Sequence, residues 1–280
     1  MKRIRLIALD MDGTLLASDH HTVPQENIDA IRLADASGIR VCICTGRMLE
    51  DASDFARRLG LPCLLIACNG TRGSDGTVPG HPVWLRLNFT KQDALRVIDA
   101  LLPFGLIIHA LEDGQVSSTG TDAEKPYHLV RRGLVEGRYG EPALRAAADR
   151  GIMKFFITAD GGSGRAEDAR IDAARRALQE AVPHLLVTRS APGNIEVMPA
   201  GAGKGAALSR LSSRLGLERE AVMAMGDAQN DLSMLEYAYH SVAMANACPE
   251  VKAVCRYQTA NNDDAGVAAM IRRVLDDQNQ

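Results

Sequence analysis

Ile4-Arg5-Leu6-Ile7-Ala8-Leu9-Asp10-Met11-Asp12-Gly13-Thr14 joins an apolar run to two carboxylates and a turn. The run reads as a short buried strand. Two carboxylates spaced by one residue, just past a strand end, are poor core material. They suit a bound divalent cation and a phosphoryl group, with one carboxylate attacking phosphorus and the other handling the proton. Gly13 lets the backbone turn sharply away from the strand. Working outward, residues 25–37 carry Ile28, Ile31 and Ala34 at helical spacing, and Gly38 closes that helix. Residues 40–44 read as a second strand and 48–59 as a second helix, ended by Gly60 with Pro62 soon after. Residues 62–67 read as a third strand. Strands separated by helices imply parallel pairing through right-handed crossovers, with ligands at the carboxyl ends of the strands. Asp10, Thr45 and Asn69 each fall just past a strand end, so all three are expected on one rim.

The texture then changes. Residues 71–80 are rich in Gly, Ser, Asp and Pro and read as a loop or hairpin turn. Helices are expected over 91–102, 141–150 and 167–181, and strands over 106–110, 115–118, 153–158 and 184–189. Glu112-Asp113-Gly114 is a hairpin signal. This middle part reads as an α+β module. After Glu196-Val197-Met198 the parallel pattern resumes: a helix over 204–215, strands over 221–225 and 240–244, and a last helix over 265–275. The expected organisation is an α/β core of residues 1–82 and 188–280, interrupted by a module of residues 83–187. Hinges are expected near Trp84 and at residues 190–192.

Composition sets limits. With 280 residues, 46% apolar and 24% charged, the chain can bury a sizeable core. A net charge of −3 gives no electrostatic footprint for nucleic acid or an acidic membrane. No apolar run is long enough to span a bilayer. Lys2, Arg3 and Arg5 precede an apolar stretch that meets Asp10 at once, which is a strand pattern and not a signal peptide. Six cysteines form no CxxC pair and sit mostly in apolar runs, so a core role and a cytoplasmic setting are expected. His20-His21 reads as a solvated loop.

Four elements at strand ends or helix starts carry chemistry. Asp10 and Asp12 are the first. Thr45-Gly46-Arg47 places a hydroxyl and a helix N-terminus to donate to phosphate oxygens. Lys204 begins a helix after Gly201-Ala202-Gly203. Gly226-Asp227-Ala228-Gln229-Asn230-Asp231 is an acidic cluster opening a helix. Each has an ordinary alternative: a turn cap, a helix cap, a solvated lysine, or acids at the positive end of a helix dipole. Four such accidents in this order are harder to accept than one site.

In that order the elements resemble the haloacid dehalogenase superfamily, and within it the Cof-type phosphatases with a large α/β cap. Asn69-Gly70, Met244-Ala245-Asn246-Ala247 and the segment from Asn262 to Ala268 add to the likeness, which covers the core, about two thirds of the chain. Thr71 and Ala265 depart from the pattern, where Ala and an acidic residue are usual. The resemblance implies a Rossmann-like parallel-sheet core, an inserted cap acting as a lid, and a Mg²⁺-dependent phosphatase of small phosphorylated metabolites, sugar phosphates foremost. Asp10 is then the nucleophile that becomes an aspartyl-phosphate, and Asp12 the acid and base. Asp10, the carbonyl of Asp12 and Asp227 would hold the metal. Thr45, Gly46, Lys204 and Asn230 would hold the phosphoryl group, with Asn69 in support. Asp231 either touches a metal-bound water or holds Lys204, and Arg47 is either a substrate contact or a surface charge. A phosphomannomutase-like phosphotransferase is the rival reading, and a non-catalytic phosphometabolite sensor a second.

Overall fold

The computed structural model describes residues 3–76, 82–120, 133–159, 165–189 and 193–278. The chain forms two compact units: residues 1–85 with 203–280, and residues 86–202. In the first unit the strand Leu6–Leu9 lies at the centre of an eight-stranded sheet. The order across that sheet is Tyr257–Gln258, His240–Ala243, Val222–Gly226, Leu6–Leu9, Arg40–Cys44, Cys63–Ala67, Arg72–Ser74 and Val83–Arg86. Leu6 registers with Val222 on one side and Arg40 on the other, and both pairings are parallel. All four residues of this strand are buried, as a central parallel strand requires, which is why its run is apolar without alternation. The step from Cys63–Ala67 to Arg72–Ser74 is antiparallel, and Thr71 closes the turn between them by donating its hydroxyl to the Cys68 carbonyl at 3.2 Å.

The flanking helices follow their apolar stripes. Gln25–Ala36 packs on Gly266–Gln278, and Lys204–Arg214 packs on Leu232–Tyr237. Cys42, Cys44, Cys63 and Cys68 are buried free thiols, and burial pushes the Cys63 thiol up to about 12. Trp84 packs its ring against Gly73, whose missing side chain leaves it room, and lies 6.0 Å from the Arg214 guanidinium. Among the described residues no helix is long and apolar enough to cross a membrane.

The second unit holds a six-stranded sheet in the order Leu186–Thr188, Asn194–Met198, Lys154–Thr158, Ile107–Glu112, Gln115–Ser118 and Glu136–Tyr139. All of its pairings are antiparallel except the last, Gln115–Ser118 with Glu136–Tyr139. Three helices, Lys91–Leu101, Glu141–Arg150 and Arg165–Ala181, share a core with Ile108, Phe155, Ile157, Ile195 and Val197. The intervening residues of the same strands point the other way by strand alternation. They include His109, Phe156 and the buried pair of Lys154 Nζ and Glu196 Oε1 at 2.7 Å.

Both expected boundaries differ, the second by more. The sequence places the return to the first unit at residue 188, whereas the structure divides at 202/203. The reason is strand pairing. Leu186–Thr188 and Asn194–Met198 pair antiparallel with each other, and the latter pairs with Lys154–Thr158. That pairing ties residues 186–188 and 194–198 to the second sheet. The first crossing falls at 85/86 rather than 82. The expected hinge at 190–192 and part of the loop expected at 71–80 lie outside the described residues.

Phe155 is fully buried at the centre of the second core, with its ring edge-on to Phe89 at 5.1 Å. Replacing it by alanine is expected to cost ~3–5 kcal/mol through lost contacts and a residual cavity. Denaturant unfolding followed by circular dichroism measures that loss.

Candidate active site

The chain leaves the central strand through an unusual turn. The Leu15 N–H donates to the Asp10 carbonyl at 3.3 Å and the Leu16 N–H to that of Met11 at 2.8 Å. Bonds five residues apart make a wide turn, and it breaks in the middle, with Asp12 at φ −82°, ψ 114° and Gly13 at φ +84°. Glycine is required here twice over: the left-handed backbone suits it, and a Cβ would lie 2.3 Å from Asp227 Oδ2. Three asparagine amides pin the turn. Asn246 Nδ2 donates to the Gly13 carbonyl at 2.7 Å, Asn262 Nδ2 to that of Leu16 at 2.9 Å, and Asn27 Nδ2 to that of Leu15 at 3.4 Å. The amides are fixed in turn, because Asn246 Oδ1 accepts from the Asn262 N–H and Asn27 Oδ1 from the Ala268 N–H.

This turn sends the two carboxylates to different partners. Asp10 is buried, and the Lys204 ammonium donates to its Oδ1 at 2.5 Å and to Asp231 Oδ1 at 2.6 Å. The other Asp231 oxygen accepts from the N–H groups of Asp227 and Ala228, both at 3.0 Å. Asp231 therefore holds Lys204 and shapes the loop. Lys204 can come this close because its neighbour Gly205 has no Cβ, which would meet the Ser233 carbonyl oxygen at 2.1 Å. Asp227 accepts from the Thr14 hydroxyl at 2.8 Å.

Asp12 lies elsewhere, with a half-buried side chain 40% exposed. Arg47 Nε donates to its Oδ2 at 2.9 Å and Arg47 Nη2 to its Oδ1 at 2.6 Å. The exposed His20 ring comes within 3.4 Å of the same Oδ1. Arg47 is thus not a lone surface charge but the partner of Asp12.

The electrostatics differ accordingly. Burial, then the Asp231 charge, pushes the Asp10 carboxyl well above its usual range despite Lys204. Burial and Asp231 push Asp227 up to about 6. Burial disfavours the Lys204 ammonium, but Asp10 and Asp231 outweigh that and raise its pKa. Burial also opposes ionisation of Asp12, yet the hydrogen bonds and charge of Arg47, then His20, hold it below the usual range.

Oxygens of Asp10, Asp227 and Asp231 lie within 4.8 Å of one another. Three carboxylates around one ammonium leave an excess of negative charge, and hard oxygen donors suit a divalent cation. With both Asp231 oxygens already engaged, Asp10 and Asp227 are the carboxylates that fit one.

The remaining rim residues also meet. The Thr45 N–H donates to the Ile66 carbonyl at 2.8 Å, and Thr45 Oγ1 accepts from the Arg47 N–H at 3.1 Å, which leaves the hydroxyl proton to donate outward. The Asn69 N–H donates to the Thr45 carbonyl at 3.0 Å, and Asn69 Oδ1 accepts from Asn230 Nδ2 at 3.3 Å. Gly46 lies against the Asn69 amide, where a Cβ would come within 3.1 Å of Oδ1. The sequence reading missed Thr14, Asn27, Asn246, Asn262 and Asp51 as parts of this site. Asn246 and Asn262 stand in segments that carried the resemblance, but nothing local marks Asn27.

A family model for haloacid dehalogenase-like hydrolases matches residues 7–271. Among curated relatives, a 5-amino-6-(5-phospho-D-ribitylamino)uracil phosphatase of Bacillus subtilis is 31% identical over 291 aligned residues, covering 98% of this chain and 99% of that one. A second phosphatase of the same name and organism is 33% identical over 272 residues, covering 96% and 95%. Among solved structures, a haloacid dehalogenase-like hydrolase from B. subtilis superposes with a TM-score of 0.82 at 27% identity, covering 96% of this chain and 99% of that one. The chain belongs to the haloacid dehalogenase-like hydrolases and is an enzyme of the phosphatase kind within them.

Proposed function

We propose that the enzyme hydrolyses small phosphorylated metabolites, sugar phosphates foremost, with Mg²⁺ and through an aspartyl-phosphate on Asp10. The observation that carries this reading is the separation of the two carboxylates. Asp10 is enclosed and paired with Lys204, while Asp12 is half exposed and paired with Arg47. A nucleophile is served by an enclosed, fixed place beside a cation that also meets the phosphoryl group, and a group that trades protons with a leaving oxygen and a water is served by a place open to both. The curated relatives named above act, by their names, on a phosphate ester of a sugar-alcohol chain, which supports the substrate class.

Bound Mg²⁺, held by Asp10, the Asp12 carbonyl and Asp227, would relieve the repulsion between the Asp10 carboxylate and an anionic phosphoryl group. The chain's own residues do the rest. Lys204 spends two of its three N–H donors on Asp10 and Asp231, so the third is free for a phosphoryl oxygen. The Thr45 hydroxyl, the Gly46 amide and Asn230 take the others, with Asn69 steadying Asn230. An Asp10 oxygen bonds to phosphorus as the ester P–O bond breaks, and the Asp12 carboxyl gives its proton to the departing oxygen. Asp12, now a carboxylate, takes a proton from the water that attacks phosphorus. The bond to Asp10 breaks, and inorganic phosphate and free Asp10 remain. Buried, reduced thiols at Cys42, Cys44, Cys63 and Cys68 support a cytoplasmic setting.

The test is phosphate release from a panel of phosphorylated metabolites with Mg²⁺ and no bisphosphate activator. Isomer formation without free phosphate would instead favour a phosphotransferase. Asp10→Asn is expected to lower kcat by ~10³-fold or more while the fold persists, because an amide cannot attack phosphorus. Intact mass after a substrate pulse is expected to show one phosphoryl group on Asp12→Asn and none on Asp10→Asn.

The raised Asp227 carboxyl gives a second expectation. In the metal-free protein the folded state binds this proton more tightly than the unfolded chain, so stability falls as pH rises from 3.8 through about 6. A cation competes with the proton, so its gain is larger above that window. At ~100-fold excess over Kd, Mg²⁺ is expected to add about 2.7 kcal/mol at neutral pH, roughly 5 °C in Tm, and clearly less near pH ~5. Thermal unfolding with and without Mg²⁺ at the two pH values measures this difference.

A further inference from the structure

Arg47 is gripped between two carboxylates of unequal exposure. On one side Nε and Nη2 hold both oxygens of Asp12, at 2.9 and 2.6 Å. On the other, Nη1 lies 3.5 Å from Asp51 Oδ2, in the first turn of the helix Leu49–Arg58. The Asp51 side chain is 2% exposed, against 40% for Asp12. Nη2 also reaches the His20 carbonyl at 3.3 Å. The Arg47 backbone is tied at both ends, its N–H to Thr45 Oγ1 and its carbonyl to the Cys68 N–H at 2.8 Å. A guanidinium is a rigid planar fork, so an anchored guanidinium fixes the plane in which Asp12 can meet it.

We infer that Arg47 and Asp51 are positioning residues for Asp12: the buried carboxylate of Asp51 aims the Arg47 fork, and the fork selects the Asp12 rotamer that faces the leaving group. This rests on the phosphatase reading, in which Asp12 exchanges the proton. A free Asp12 side chain has three staggered χ1 wells, and two parallel hydrogen bonds leave it one. When Asp12 carries its proton, one oxygen becomes a donor and one bond of the fork opens. The other bond keeps the direction. The phosphoryl group is left to Thr45, Lys204 and Asn230.

The experiment compares an alkyl phosphate, whose leaving oxygen needs a proton, with p-nitrophenyl phosphate, whose leaving group departs as the anion. The value of kcat/KM reports only the steps through departure of the alcohol, so it isolates the proton donation. In Arg47→Gln the alkyl-to-aryl ratio of kcat/KM is expected to fall ~10- to 100-fold. The inhibition constant of inorganic phosphate should move by less than ~3-fold. Arg47→Lys, which keeps charge without the fork, should recover only part of the ratio. The isosteric Asp51→Asn should lower it in the same selective way, and it guards against a folding defect confined to Arg47→Gln. Equal losses on both esters, together with weaker phosphate inhibition, would make Arg47 a phosphoryl ligand and overturn the inference. An unchanged ratio in all three variants would overturn it too. Failure of the underlying reading looks different: Asp12→Asn would then hydrolyse alkyl phosphates as fast as the parent enzyme.

Discussion

The Lys204 ammonium, enclosed between Asp10 and Asp231, is the interaction on which the site depends. It ties together residues 10, 204 and 231, which come from three separate strand–helix steps of the sheet. A fully buried ammonium is tolerable only when paired and hydrogen-bonded, and removing one partner of such a group typically costs ~3–5 kcal/mol. Asp231 meets the same demand with its second oxygen, on the N–H groups of Asp227 and Ala228. The pairing still leaves more negative than positive charge. Burial first, and then that surplus, raises the Asp10 and Asp227 carboxyls, and the surplus also favours a divalent cation.

The wide turn from Met11 to Leu15 makes two chemistries out of one sequence motif. In an extended strand, residues two apart share a face, and Asp10 and Asp12 would compete for the same partners. The break at Asp12 and Gly13 gives Asp12 to Arg47 and leaves Asp10 to Lys204. Such a turn leaves carbonyls without helical partners, and the amides of Asn27, Asn246 and Asn262 serve those of Leu15, Gly13 and Leu16. The stiffness of the motif is thus supplied from elements 12 to 246 residues away along the chain.

What the sequence makes legible is what local chemistry controls. The strand Arg40–Cys44 and the helix Glu141–Arg150 end where turn and capping residues say they should. Asp10, Thr45, Lys204 and Asp227 are visible because each follows a strand end or opens a helix. Residues 186–198 are different. Their β pattern is plain, but the choice of Lys154–Thr158 as partner is non-local, so the boundary expected at 188 misses by a hairpin. Arg72–Ser74 and Glu136–Tyr139 are too short and too polar for periodicity to show. Asp231 holding Lys204, and Asp51 facing Arg47, are distances, and no spacing in the sequence encodes them. An amide such as that of Asn27, serving a carbonyl in another element, has no local signature at all.

The same geometry marks where the first unit stops deciding the reaction. In the proposed mechanism Asp12 would take a proton from whichever O–H group attacks the phosphorylated aspartate, whether it belongs to water or to a sugar. On that proposal residues 10, 12, 45, 204 and 227 would specify phosphoryl transfer and leave the acceptor open. A returning sugar hydroxyl would make a mutase, and water makes a phosphatase. The relatives that decide between these align with nearly the whole chain, including residues 86–202, and not with the motif-bearing unit alone. They are phosphatases, and the matched family is one of hydrolases. Likeness confined to the shared motifs would be compatible with either acceptor. Likeness that extends through the inserted unit argues for water.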